Sequence, residues 1–85
     1  MRYSVTVEVL LRQGIADPQG STIERSLPAL GFDGVSEVQV GKSIRFLLDA
    51  EDETSARREV QDMADRFLAN PVIEDTSIEL SPLEA

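Results

Sequence analysis

The sequence contains no cysteine, no histidine and no tryptophan. Without cysteine there is no disulfide, no thiolate nucleophile and no sulfur ligand for a metal. Without histidine, the usual general base at neutral pH and the commonest transition-metal ligand are both missing. Aromatic residues are scarce: one tyrosine, Tyr3, and three phenylalanines, Phe32, Phe46 and Phe67. A core must therefore be built chiefly from Val, Leu and Ile. Basic residues are in the minority, 8 against 16 acidic ones, for a net charge of -8. Such a surface repels a phosphate backbone, so nucleic acid is not an expected partner. An anionic membrane surface is disfavoured for the same reason. No apolar run approaches the ~18 residues of a membrane span. Met1-Arg2-Tyr3 leads straight into an alternating strand pattern rather than into a signal peptide. The expectation is a soluble, cytoplasmic protein.

What is present points to one small domain. The 85 residues fit a single domain, with 80–85 read as a flexible tail. A hydrophobic content of 41% is too high for a disordered chain. A domain of this size buries only about 60% of the surface its unfolded chain exposes, so a further chain would cover apolar surface that a monomer leaves wet.

The apolar periodicity divides the chain into alternating elements. Tyr3, Val5, Val7, Val9 and Leu11 occupy every second position, the mark of a strand with one buried face. Asp17-Pro18 has the chemistry of a helix start, Asp as N-cap and Pro at the first helical position. Ile23, Leu27 and Leu30 follow at helical spacing. Pro28 is awkward inside a helix and predicts a bend in the last turn, and Gly31 is a plausible terminator. Val35, Val38 and Val40 suggest a second strand, and Gly41-Lys42 a two-residue hairpin turn into a third, carried by Ile44, Phe46, Leu48 and Ala50. Glu51-Asp52-Glu53 precedes Ala56, Val60, Met63, Ala64, Phe67 and Leu68, which fit one face of a second helix. The acidic triplet lies at the positive end of that helix dipole, and Glu53/Arg57 and Asp62/Arg66 have ion-pair spacing. Asn70-Pro71 ends the helix, and Ile73, Ile78 and Leu80 mark a last strand.

The order β-α-β-β-α-β predicts an α+β, ferredoxin-like fold: a four-stranded antiparallel sheet with both helices on one face. Leu10 and Leu47 would then lie on the uncovered face. Exposed apolar residues and free edge strands favour association, as a dimer or a dimer of dimers.

No stretch carries a catalytic pattern. Residues 13–22, QGIADPQGST, have Gly14 and Gly20 six apart, but Ser21 follows Gly20 and no lysine is near, so the phosphate-loop pattern fails. A helix start explains the same letters. Gly41-Lys42-Ser43 lacks the preceding glycine and following helix of a phosphate motif. Glu51, Asp52 and Glu53 lack the spacing of a calcium loop. Glu74 and Asp75, adjacent on a strand, point to opposite faces and cannot act on one atom. The residues describe a non-catalytic module.

Three longer stretches do carry a resemblance. GIADPQGSTIERSLPALGF, then VSEVQVGKSIRF, then ANPVIEDTSIEL, in this order and at these spacings, resemble the PurS family, the small subunit of phosphoribosylformylglycinamidine (FGAM) synthase in purine biosynthesis. The most specific pieces are Asp17-Pro18-Gln19-Gly20 and Asn70-Pro71-Val72-Ile73-Glu74-Asp75. Arg12, Pro28, Ala64 and Thr76 depart from the residues usual in the family. The resemblance implies a subunit that supplies no catalytic residue and binds no cofactor or metal. It implies two partners, a large synthetase subunit and a glutaminase subunit, which the small subunit bridges while supporting ammonia transfer. ATP, Mg²⁺ and glutamine are used by the complex. It also implies a homodimer or homotetramer. On this reading Asp17, Pro18, Gln19, Gly20, Gly41, Lys42, Asn70, Pro71 and Glu74 are the candidate subunit-contact or motif residues. A second reading, from the topology, is a small-molecule-sensing regulatory module with a ligand at a dimer interface and 14–20 as its ligand loop.

Overall fold

In the computed structural model, which describes residues 1–83, the strand with the clearest alternation lies at the centre of the sheet. β1 (Arg2–Leu11) pairs antiparallel on one side with β2 (Lys42–Asp49) and on the other with β3 (Glu74–Leu83). The register sets Val5 opposite Phe46 and Leu80, and Val7 opposite Ile44 and Ile78. Tyr3, Val5, Val7 and Val9 are buried, so one face of β1 forms the middle of the core. On the opposite face Leu10 and Leu47 are exposed, as their phase in the strands predicts.

α2 (Glu53–Met63) covers the sheet. Asp52 caps it, its carboxylate accepting the Ser55 N–H at 2.7 Å. Ala56 and Val60 are fully buried against β1. Of the two expected ion pairs on this helix, Asp62–Arg66 forms, at 3.1 Å. Glu53 and Arg57 do not come within ion-pair distance among the described residues, which leaves both solvated.

α1 (Pro18–Ser26) is followed by a short 3₁₀ turn, Pro28–Leu30. Pro28 thus begins a new turn, the expected distortion, and Gly31 at φ 96° ends it. The Phe32 N–H then reaches back to the Leu27 carbonyl at 3.1 Å. α1 packs mainly on this 3₁₀ turn rather than on the sheet, and Ile23 is left exposed.

The structure departs from the sequence expectation in four places. The sheet has three strands, because 35–40 forms no strand. Glu37 adopts a left-handed conformation at φ 56°, which breaks the alternation between Val35 and Val38. The Val38 and Val40 N–H groups donate to the carboxylates of Glu24 and Asp17, both at 2.9 Å, so α1 takes the donors a neighbouring strand would use. Gly41-Lys42 is therefore not a hairpin turn: Gly41 is the approach to β2 and Lys42 its first residue. Residues 80–83, expected in the tail, belong to β3 and pair with β1 through Leu83 opposite Arg2; residues 84–85 lie outside the described residues. Finally, Phe67 does not face the core. The end of α2 widens into a π turn, Ala64–Leu68, in which the Ala69 N–H donates to the Ala64 carbonyl at 3.0 Å. Leu68 and Ala69 pack on the core instead.

Candidate functional site

β1 ends between the beginnings of its two neighbours, with Val9 opposite Lys42 and Leu11 opposite Glu74. The start of α1 lies over the same end. The N-cap Asp17 with Pro18 and Gln19 of α1, Gly41 with Lys42 at the start of β2, and Glu74 from β3 together line a cleft of about 380 Å³, floored by Val9 and Leu11. Residues far apart in the chain thus share one surface.

Asp17 organises the α1 side. One carboxylate oxygen accepts the Gly20 N–H at 2.9 Å, the N-cap bond expected at this helix start. The other accepts the Val40 N–H. These two bonds, Gly20 first, hold the Asp17 carboxyl below the usual aspartate value, against a smaller opposing effect of desolvation. Gly20 is buried between its neighbours: a Cβ there would stand 2.6 Å from the Asp17 carboxylate and closer still to the Val38 carbonyl oxygen. Gly41 is constrained likewise, since a Cβ would meet the Val9 carbonyl oxygen and, at 2.5 Å, a Leu10 methyl. Both glycines are required by close approach, not by turn geometry.

The β3 side is built by Asn70, Pro71 and Glu74. The Asn70 side-chain oxygen accepts the Val72 N–H at 3.1 Å, and its carbonyl accepts the N–H groups of Ile73 and Glu74. An Asn followed by Pro favours such a corner. The Glu74 carboxylate closes it by accepting the Asn70 N–H at 2.7 Å. Arg12 ties this corner to the end of β1: its guanidinium donates to the Pro71 carbonyl and pairs with Asp75 at 3.3 Å. Asn70 and Pro71 thus stand behind the cleft and set the position of Glu74.

These bonds decide what the cleft can do. The carboxylates of Asp17 and Glu74 serve as acceptors for backbone N–H groups, not as free bases. Asp75, on the opposite face from Glu74, is engaged by Arg12. Lys42 is the only lysine in the chain, is exposed, and makes no ion pair among the described residues. Gln19 offers an exposed amide at the rim. Among the described residues, no group of three or more carboxylate side chains is close enough together to hold a metal ion, and no helix is long and apolar enough to cross a membrane. The arrangement presents a fixed shape with an ammonium and an amide at its edge, which is suited to contact rather than to proton transfer.

The family model for PurS, described as phosphoribosylformylglycinamidine (FGAM) synthase, matches residues 4–82. The chain belongs to the PurS family. The PurS subunit of FGAM synthase from Methanocaldococcus jannaschii is 42% identical to it over 82 residues, which is 96% of this chain and 99% of that one. The Bacillus subtilis PurS subunit is 32% identical over 83 residues, 98% of each chain. Among solved structures, the M. jannaschii PurS crystal structure superposes with a TM-score of 0.85 at 41% identity, covering 96% of this chain and 99% of that one. A chain of the Thermotoga maritima PurLQS structure gives 0.87 at 30% identity, covering 95% and 99%.

Two residues of this PurS site were not singled out for it by sequence reasoning. Glu24 holds Val38 from within α1, and Arg12 holds the Asn70–Pro71 corner. The signal for Arg12 was its departure from the lysine usual in the family. Glu24 had none, because its partner is a backbone N–H in a segment whose course only the fold defines.

Proposed function

We propose that this PurS chain works in the cytoplasm as the small, non-catalytic subunit of FGAM synthase, bridging the large synthetase subunit and the glutaminase subunit and supporting ammonia transfer between them. ATP, Mg²⁺ and glutamine are handled by those partners. The observation that carries the reading is the convergence at the cleft. The stretches that mark the family, Asp17-Pro18-Gln19-Gly20, Gly41-Lys42 and Asn70 through Glu74, meet at one end of the sheet, with their carboxylates spent on holding backbone. Such a surface conserves shape, and shape is what a contact between subunits requires. Gln19, Lys42 and Glu74 are its contact residues, while Asp17, Pro18, Gly20, Gly41, Asn70 and Pro71 keep its form.

The chain works as a homodimer or homotetramer. Its radius of gyration is 16.6 Å, against about 12 Å for a compact domain of this length. α1 stands off the sheet, both edge strands are open among the described residues, and Leu30, Phe32 and Leu47 are more than half exposed. A second copy covering these surfaces accounts for all three features; sedimentation or light scattering measures it.

Reconstitution tests the role. The synthetase and glutaminase subunits from the same organism are combined with and without this chain. FGAM synthesis is then measured from glutamine and from an ammonium salt. Glutamine-driven synthesis should require the chain and ammonium-driven synthesis should not. If neither rate changes, the bridging role fails, and calorimetry with amino acids and nucleotides becomes the test of a sensing module.

A further inference from the structure

The corner after α2 leaves two large apolar side chains in water. Phe67 is 86% exposed and Val72 78%. For Phe67 this is a consequence of local geometry rather than of sequence phase. Val60 and Ala64 are fully buried, and continued α-helix would bring position 67 back to the same face. The π turn over Ala64–Leu68 inserts an extra residue into that turn. Leu68 and Ala69 take the inward places, and one of the chain's few aromatic rings is turned out. π turns are rare and are found disproportionately at functional sites. Val72 follows on the far side of the Asn70–Pro71 corner, which Glu74 and Arg12 hold rigid, so the two side chains are presented on fixed backbone.

We infer that Phe67 and Val72 form an apolar anchor for a basic-rimmed pocket on another subunit of the complex, not for a second copy of this chain. The choice of occupant rests on charge. Residues 62–75 carry Asp62, Asp65, Glu74 and Asp75, against Arg66 paired with Asp62 and Arg12 of the neighbouring strand end paired with Asp75, which leaves the patch with two negative charges in excess. A two-fold contact through this patch would set the same carboxylates against one another. A partner with Lys or Arg around an apolar pocket complements them, and aromatic anchors of this kind dominate interface affinity. The inference rests on the subunit role proposed above and adds the surface and the chemistry of the contact.

The test uses the full chain with Phe67→Ala, Phe67→Leu and Val72→Ala. Each is titrated against the purified glutaminase and the purified synthetase at low and high salt, and its own mass is measured by light scattering. Phe67→Ala should weaken one of the two contacts by about 30-fold or more, the scale of a hot-spot truncation. Phe67→Leu should lose less, and added salt should weaken the wild-type contact. The mass of each variant alone should match wild type. Unchanged affinity for both subunits overturns the inference while leaving the subunit role intact. A drop in the variant's own mass also overturns it, by making the occupant a second copy. If the wild-type chain binds neither subunit, the subunit role itself falls.

Discussion

Gly20→Ala is the sharpest test of how the cleft is held. On helix propensity alone the change stabilises, by about 0.5–1 kcal/mol, because glycine loses more backbone freedom in a helix than alanine does. The surroundings oppose this. The new Cβ would lie 2.6 Å from the Asp17 carboxylate and nearer still to the Val38 carbonyl oxygen. A side chain could give way, but Val38 is backbone, held through its own N–H by Glu24 and through that of Val40 by Asp17. Overpacking of this kind costs about 1–3 kcal/mol. The clash is the larger effect, and the net loss is about 0.5–2 kcal/mol. In a chain of this size each kcal/mol moves Tm by about 4–8 °C, so the melting point should fall by several degrees. The protomer concentration must be fixed, because association makes Tm concentration-dependent. Gly34→Ala is the control: a Cβ there meets open space, so loss of backbone freedom in the unfolded chain should leave it neutral or more stable by about 0.4–1 kcal/mol. Hydrogen exchange at the Val38 and Val40 amides should quicken in Gly20→Ala and stay unchanged in Gly34→Ala. A Gly20→Ala protein that melts at or above wild type, with both amides still protected, would refute the carboxylate clip.

Four further outcomes are expected. The Asp17 carboxyl is held below its ordinary value by the Gly20 and Val40 N–H groups, so the unfolded chain binds its proton first as pH falls. The stability from this residue is therefore complete above an ordinary aspartate pKa of about 3.9 and is lost as pH drops through the lowered native value. Urea midpoints at successive acidic pH values should show this loss in wild type, with a smaller share of it in Asp17→Asn, which keeps one acceptor oxygen for the cap but gives up both the charge and the acceptor for the Val40 N–H. Val60→Ala removes two methyl groups from a fully buried site and should cost about 1.5–3 kcal/mol in urea unfolding. Leu47→Ala, at 58% exposure on the open face of the single chain, should stay within about 0.5 kcal/mol of wild type at a concentration low enough to dissociate the copies, and should weaken their association, which light scattering measures. Lys42 is the only side-chain amine, so its acetylation, separated from that of the Met1 α-amine by peptide mass spectrometry, reports on the cleft; it should slow when the synthetase and glutaminase are added, and an unchanged rate would remove Lys42 from the contact.

Where the sequence was legible, local chemistry and tertiary packing agreed. β1 alternates because one face of it is the core, and Tyr3, Val5, Val7 and Val9 are buried as their period requires. Asp17-Pro18 and Asp52 start helices through bonds to residues three positions on, and Gly31 ends the 3₁₀ turn through its own backbone. Two of the misreadings, the strand at 35–40 and the inward Phe67, have one common cause: a non-local or cooperative effect overrode the period. Val35, Val38 and Val40 looked like a strand because valine favours strands, but strand identity needs a partner. The donors that would have met one are held by Asp17 and Glu24, from a helix far upstream. Phe67 looked buried because the period of 3.6 was carried through the end of α2, and one residue inserted in the π turn reversed its direction.

The same distinction separates the site's pieces from the site itself. Each family stretch was legible as a local device: a capped helix start, a close-approach glycine, an Asn–Pro corner. Their meeting was not, because it depends on register, which sets Lys42 opposite Val9 and Glu74 opposite Leu11 across a shared strand. A slip of one residue in either pairing would turn its side chains to the other face and disperse the cleft without altering any motif. Register is pinned at this end by groups outside the strands' own apolar pattern: Arg12 fixes the entry of β3, and Gly41 lets β2 approach the Val9 carbonyl. What the family stretches hold in common is therefore the relative placement of three strand ends, and the contact role proposed for the cleft depends on that placement.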